Sequence, residues 1–212
     1  MLLKSYFRFI SIIAAVLLCL PSDVDAGYKD GVNAAKEGGF VTALREFKEL
    51  SKQGHSGSQY SIGVMYHFGR GQKRDFDEAR KWYEIAAKND YAPALNNLAT
   101  MYRFGQGVPV DLERAFEMYK KAAGELTLAK YNLGEMYFKG QGVERNPREA
   151  AIWYYKSAVD NFPKSLYKLG TLYENGIGVP LDLARAKAWY EVALKKGHKR
   201  AKAALRRLEK KK

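Results

Sequence analysis

The phrase Tyr-x-x-Gly-x-Gly occurs four times, as "YHFGRGQKRD" from Tyr66, "YRFGQGVPVD" from Tyr102, "YFKGQGVERN" from Tyr137 and "YENGIGVPLD" from Tyr173. The spacings are 36, 35 and 36 residues. Glycine pairs can cradle a phosphate, but such a loop occurs once per site, follows a strand, and carries Lys-Ser or Lys-Thr after its last glycine. No copy has that pair. Self-similarity at a period of roughly 20 to 50 residues marks an array of supersecondary units, so the glycines read as structural. The first of each pair (Gly69, Gly105, Gly140, Gly176) is placed to close a helix with a positive φ. The second (Gly71, Gly107, Gly142, Gly178) lets the loop continue without a side-chain clash. Asp75, Asp111, Asn146 and Asp182 then stand at N-cap positions. Each copy is a helix stop, a loop and a helix start.

Between these punctuation marks lie two helical stripes. In one unit, helix A is expected over about 92–104 and helix B over about 112–123. Helix B carries small and bulky residues at i, i+3, i+4 and i+7: Ala79, Trp82, Tyr83, Ala86; Ala115, Met118, Tyr119, Ala122; Ala150, Trp153, Tyr154, Ser157; Ala186, Trp189, Tyr190, Ala193. At helical spacing and repeated four times, this stripe is core, not a cofactor box. Helix A repeats Ile62-Gly63-Tyr66, Leu98-Ala99-Tyr102, Leu133-Gly134-Tyr137 and Leu169-Gly170-Tyr173. A mid-helix glycine costs up to about 1 kcal/mol against alanine, so close helix contact must offset it. Ala99 shows that the requirement is smallness.

Array ends must differ from the middle. Residues 28–53 read as a degenerate first unit, with Ala43 and Phe47 one period before Ala79 and Tyr83, and an inter-helix loop shortened to "EGGF". "HKRAKAALRRLEKKK" reads as a half-unit cap, with Ala201, Ala204, Leu205 and Leu208 inward and Lys and Arg outward. Ahead of the array, Lys4 and Arg8 form a basic segment, Phe9 to Leu20 an apolar run of 12 residues, and Val24-Asp25-Ala26 a small-residue cleavage site. This is a signal-peptide pattern over 1–26, too short to span a bilayer comfortably. Cleavage after Ala26 is expected, with retention as an N-terminal anchor the alternative. "LLC" lacks the small residue usual before a lipidated cysteine. The expected mature chain, 27–212, divides into units at about 28–54, 55–90, 91–126, 127–161 and 162–197, with the cap over 198–212.

The single cysteine, Cys19, lies in that leader, which removes thiol catalysis, thiolate metal sites and disulfides from the mature chain. The net charge of +13 would suggest nucleic acid in a cytosolic protein. Behind an export signal, the expected counterparts are anionic envelope polymers, acidic lipid surfaces or an acidic protein, and no nucleic acid. The charged end cap offers a plain alternative account of the charge. His55, His67 and His198 have no metal-ligand partner at i+3 or i+4, and sequence order pairs no nucleophile with a base, so no catalytic residue, metal or cofactor is expected.

"ALNNLATMYRFGQGVPVDLERAFEMYKKAA" and "SLYKLGTLYENGIGVPLDLARAKAWYEVAL" resemble the Sel1-like repeat family, a relative of tetratricopeptide repeats. The resemblance covers about residues 28–208. Gln72 replaces the loop valine, Met118 replaces Trp, and one residue is missing in "GELTLAK". The resemblance implies an all-α fold: a right-handed α/α superhelical solenoid of about five helix-pair repeats with a C-terminal capping helix. It further implies an exported, non-enzymatic scaffold or adaptor, periplasmic or secreted, that binds protein or peptide. A cysteine-rich branch described as binding or hydrolysing β-lactams ties its helix pairs with disulfides, which this mature chain cannot form. By analogy with tetratricopeptide geometry, the concave groove is lined by Tyr60, Val64, His67 and Phe68; Asn96, Thr100, Arg103 and Phe104; Tyr131, Glu135, Phe138 and Lys139; and Tyr167, Thr171, Glu174 and Asn175. Exposed Tyr and Arg suit peptide anchoring. The opposing expectation is that Phe68, Phe104 and Phe138 pack beneath adjacent loops. A basic end that holds anionic envelope polymer or lipid is the rival function.

Overall fold

The computed structural model describes residues 21–210. The apolar run of the expected signal peptide therefore lies outside the described residues, and the expected cleavage point after Ala26 falls within the first described helix. The described residues contain eleven helices and no strand. They group into two compact units, one ending at Asn89 and the other starting at Asp90. The first holds α1 (Pro21–Lys36), α2 (Phe40–Lys52), α3 (Ser56–Phe68) and α4 (Phe76–Ala87). The second holds α5 (Ala92–Phe104), α6 (Leu112–Ala122), α7 (Thr127–Lys139), α8 (Pro147–Val159), α9 (Pro163–Asn175), α10 (Leu183–Lys195) and α11 (Arg200–Glu209). No helix among the described residues is long and apolar enough to cross a membrane.

The loop chemistry follows the glycine reading. Gly69, Gly105, Gly140 and Gly176 cap α3, α5, α7 and α9 in the left-handed region, at φ of 66°, 67°, 67° and 64°. The second glycines also have positive φ, and the structure shows what they avoid. Gly142 lies against the backbone at Leu112–Glu113, where α6 begins, and Gly178 against that at Pro147–Arg148, where α8 begins. Gly71 sits against Phe40 at the start of α2. Each of these loops thus seats on the preceding B helix, where any side chain would hold the two apart. Four of the five turns from a B helix to the next A helix use left-handed residues too, Gly54 and Gly197 with Asp90 and Asn161 at the matching places, and the turn from α6 to α7 uses none. The missing residue of "GELTLAK" shows as the shortest B helix of a full repeat, α6, with 11 residues.

The caps stand where the sequence puts them. Asp75, Asp111, Asn146 and Asp182 each accept a hydrogen bond from the backbone N–H three residues on, the Asp111 bond measuring 2.9 Å. Asp111→Ala is expected to lower stability by about 1 kcal/mol in urea unfolding, the usual loss for an N-cap. An unchanged midpoint would contradict the cap.

Within each pair, packing rests on one contact. Tyr83, Tyr119, Tyr154 and Tyr190 of the B helices are fully buried. A Cβ added at Gly63, Gly134 or Gly170 would stand 2.6, 2.8 or 2.5 Å from the rings of Tyr83, Tyr154 and Tyr190. The small A-helix residue is therefore the seat of the B-helix ring, which explains why glycine is kept despite its propensity cost. Gly31 of α1 plays the same part for Phe47 of α2, at 2.6 Å, so that helix pair has the same joint with a different aromatic. The stripe tryptophans Trp82, Trp153 and Trp189 are only half-buried, because they lie at the edge of the stripe that the tyrosines occupy.

Candidate interaction site

The sixteen residues expected to line the groove all fall on A helices: α3 in the first unit, and α5, α7 and α9 in the second. In the first unit, Tyr60, Val64 and His67 are half-buried, and Phe68 is 59 % exposed with the Arg70 guanidinium 5.5 Å from its ring centre. The Tyr60 ring rests on buried Tyr83, at 5.8 Å between centroids. His67 is enclosed by the rings of Phe68, Phe76 and Tyr83, and burial, helped by the charge of Arg74, holds its pKa below the usual value. His55 caps α3 by accepting the Ser58 N–H through Nδ1.

In the second unit the set separates into two rows with different duties. Asn96, Arg103, Glu135 and Glu174 are buried. Their polar atoms join successive repeats. Asn132 donates to Asn96 Oδ1 at 2.9 Å, and Arg103 places Nε and Nη2 on Gln141 Oε1 at 3.1 and 2.7 Å. Lys168 reaches Glu135 at 2.7 Å, and Arg207 reaches Glu174 through two bonds of 2.8 and 2.5 Å. The stripe tyrosines complete these links from the B side: the Tyr154 hydroxyl donates to Glu135 and that of Tyr190 to Glu174, while Tyr119 shares a bond with Thr100. Burial works against the Glu135 carboxylate, yet Lys168, Tyr154 and Lys139 hold its pKa below the ordinary range. Burial and the charge of Glu135 push the Tyr131 hydroxyl up to about 12.

The other row faces outward. Phe104 is 62 % exposed with Arg103 5.2 Å over its ring, so neither Phe68 nor Phe104 is tucked beneath a loop; Phe138 is half-buried, with Lys168 5.4 Å from its ring centre. Tyr131, Tyr167, Thr100 and Thr171 are half-buried, and Lys139 and Asn175 exposed. Tyr131 packs on Tyr154 at 5.8 Å and Tyr167 on Tyr190 at 5.4 Å. Each outward tyrosine thus has its back fixed by a core tyrosine. Sequence reasoning missed Asn132, Gln141, Lys168 and Arg207. The signal was available for the last two, since Glu135/Lys168 and Glu174/Arg207 are opposite charges 33 residues apart, close to one period.

The sequence pattern described as Sel1 repeat matches residues 56–91, 92–124, 127–158 and 163–198. Among solved structures, the chain is similar to a protective antigen of uropathogenic Escherichia coli strains that displays an SLR fold, at 32 % identity and a TM-score of 0.78. The match covers 86 % of this chain and 40 % of that one. A Sel1 repeat protein from Oxalobacter formigenes matches at 32 % identity and a TM-score of 0.71, over 78 % of this chain and 49 % of that one. The chain thus spans less than half the length of either. An immunity protein from Pseudomonas aeruginosa, at 20 % identity and a TM-score of 0.60 over 86 % of this chain and 69 % of that one, shares the fold. With its helix pairs, glycine loops and ring-on-glycine joints matched by four copies of that pattern, the chain belongs to the Sel1 repeat family.

Proposed function

We propose that the protein is an exported, non-enzymatic scaffold that binds a protein or peptide through the outward-facing residues of the A helices in each of its two units. The observation that carries this reading is the braced aromatic: Tyr60, Tyr131 and Tyr167 each pack against a buried tyrosine while remaining only half-buried themselves. A ring already held in place loses little freedom on binding, so its contact area converts efficiently into affinity. Phe68 and Phe104, exposed beneath arginines, extend the same character. Export is supported by Lys4, Arg8 and the apolar run to Leu20.

The test is a Tyr60→Ala/Tyr131→Ala/Tyr167→Ala variant, compared with the parent chain after crosslinking in cells and identification of the captured protein. The variant is expected to keep its helical circular dichroism and to bind the purified partner at least about tenfold more weakly, as loss of aromatic anchors does. Undiminished binding would move the site away from these tyrosines.

A further inference from the structure

The outward row of the second unit leads into a pocket of about 440 Å³ between α7, α9 and the turn into α11. Its lining includes Tyr131, Tyr167, His198, Lys164, Lys168 and Arg200, with Lys199 beside them. We propose that this pocket receives the carboxylates of an acidic peptide segment, and so fixes the chemistry of the partner's anchoring residues. The proposal rests on the reading that the partner is a protein or peptide.

Two features converge there. The first is a rigid aromatic wall. Tyr167 and His198 stack at 4.3 Å with their planes 16° apart, and Tyr131 is wedged against Tyr154 and Phe162 at 5.8 and 5.4 Å. The second is positive charge without compensation. Among the described residues, no carboxylate lies within ion-pair distance of Lys164, Lys199 or Arg200, all of them exposed. The carboxylates of the inner row are already engaged, Glu135 by Lys168, Lys139 and Tyr154, and Glu174 by Arg207 and Tyr190. Like charges gathered in a concavity reinforce one another's field and raise the local concentration of anions. His198 senses this field: burial first, and then Arg200 and Lys164, lower its proton affinity.

The shape decides between anionic partners. A bilayer or a stiff polymer meets a protein across an open surface. Along α11 a more open cavity of about 480 Å³ offers one, lined by Lys199, Lys202, Arg206, Arg207 and Lys210 with no aromatic ring among them. The pocket instead has room for one or two side chains and presents rings to their methylenes. A glutamate flanked by an aliphatic residue satisfies both walls at once, with its carboxylate on the cations and its neighbour on the tyrosines.

The probe is a fluorescein-labelled peptide of Glu-Leu-Glu-Gly repeated three times, with Gln-Leu-Gln-Gly repeated three times as its neutral counterpart. Fluorescence anisotropy is read on the full chain and on two variants of equal charge change, Lys164→Glu/Arg200→Glu in the pocket and Lys202→Glu/Lys210→Glu on the outer side of α11. All four positions are exposed, and circular dichroism checks folding. The acidic peptide is expected to bind the parent at least about tenfold more tightly than the neutral one, and to lose about tenfold with the pocket pair but under about threefold with the outer pair. Equal losses in the two variants would show attraction to net charge alone and overturn the pocket. So would absence of acidic-peptide binding at low salt, or phosphatidylglycerol vesicles that depend on the pocket pair for binding. A crosslinked partner that needs the three tyrosines but not Lys164 or Arg200 would remove the pocket and leave the scaffold reading standing.

Discussion

Replacing Gly142 by alanine is expected to lower the unfolding free energy by roughly 2–5 kcal/mol, far more than a loop substitution usually does. Two penalties add. The residue has φ of 67°, where an L side chain costs about 1–2 kcal/mol. Its new Cβ would also be driven into the carbonyl of Leu112 and the peptide that follows, so α6 and the loop must separate, an overpacking loss of about 1–3 kcal/mol. Gly38 supplies the control. It has φ of 84° but nothing within 4 Å of its Cβ position, so Gly38→Ala should show only the first penalty. Urea unfolding of the two variants side by side separates conformation from contact. Equal losses would mean that the seating of the loop on α6 contributes nothing.

Arg207→Ala is expected to cost about 2–3 kcal/mol, concentrated at the C-terminal end. Removing one partner of a buried ion pair typically costs about 3–5 kcal/mol, because a desolvated charge is left behind. The lower figure applies here because the Arg207 side chain is 50 % exposed and water can enter in its place, although Glu174 itself is buried. The pair also ties the last helix to α9, and array ends open more readily than centres. Amide exchange in α11 and the end of α9 should therefore quicken before that in α7. Adding Glu174→Gln to Arg207→Ala removes the stranded charge while keeping an acceptor for Tyr190, and is expected to restore most of the loss. Failure of the second change to rescue would show that Arg207 acts through its packing alone.

The repeat was legible because it is written in residues that carry strong local physics. Glycine pairs at fixed places announce left-handed caps, and an aspartate or asparagine six residues after the first glycine announces the next helix. The core stripes were equally open, since Ala79, Tyr83 and Ala86 and their counterparts recur at helical spacing. The candidate face was harder to read. Periodicity places Asn96, Arg103, Glu135 and Glu174 on the outward face of a helix, but burial depends on what the next repeat supplies across the gap. Gln141, Lys168 and Arg207 come from one period later and draw those polar groups inward. A helix read by itself does not show its neighbour's reach. The role of the second glycines was likewise half visible: positive φ follows from the loop, whereas the backbone they rest on belongs to the preceding repeat.

The seating of Gly142 on α6 and of Gly178 on α8 makes main-chain atoms the ruler of the second unit. Pitch set in this way is indifferent to what the exposed row happens to carry. Substitutions along the exposed row can therefore change its chemistry one position at a time while the spacing of its side chains stays put.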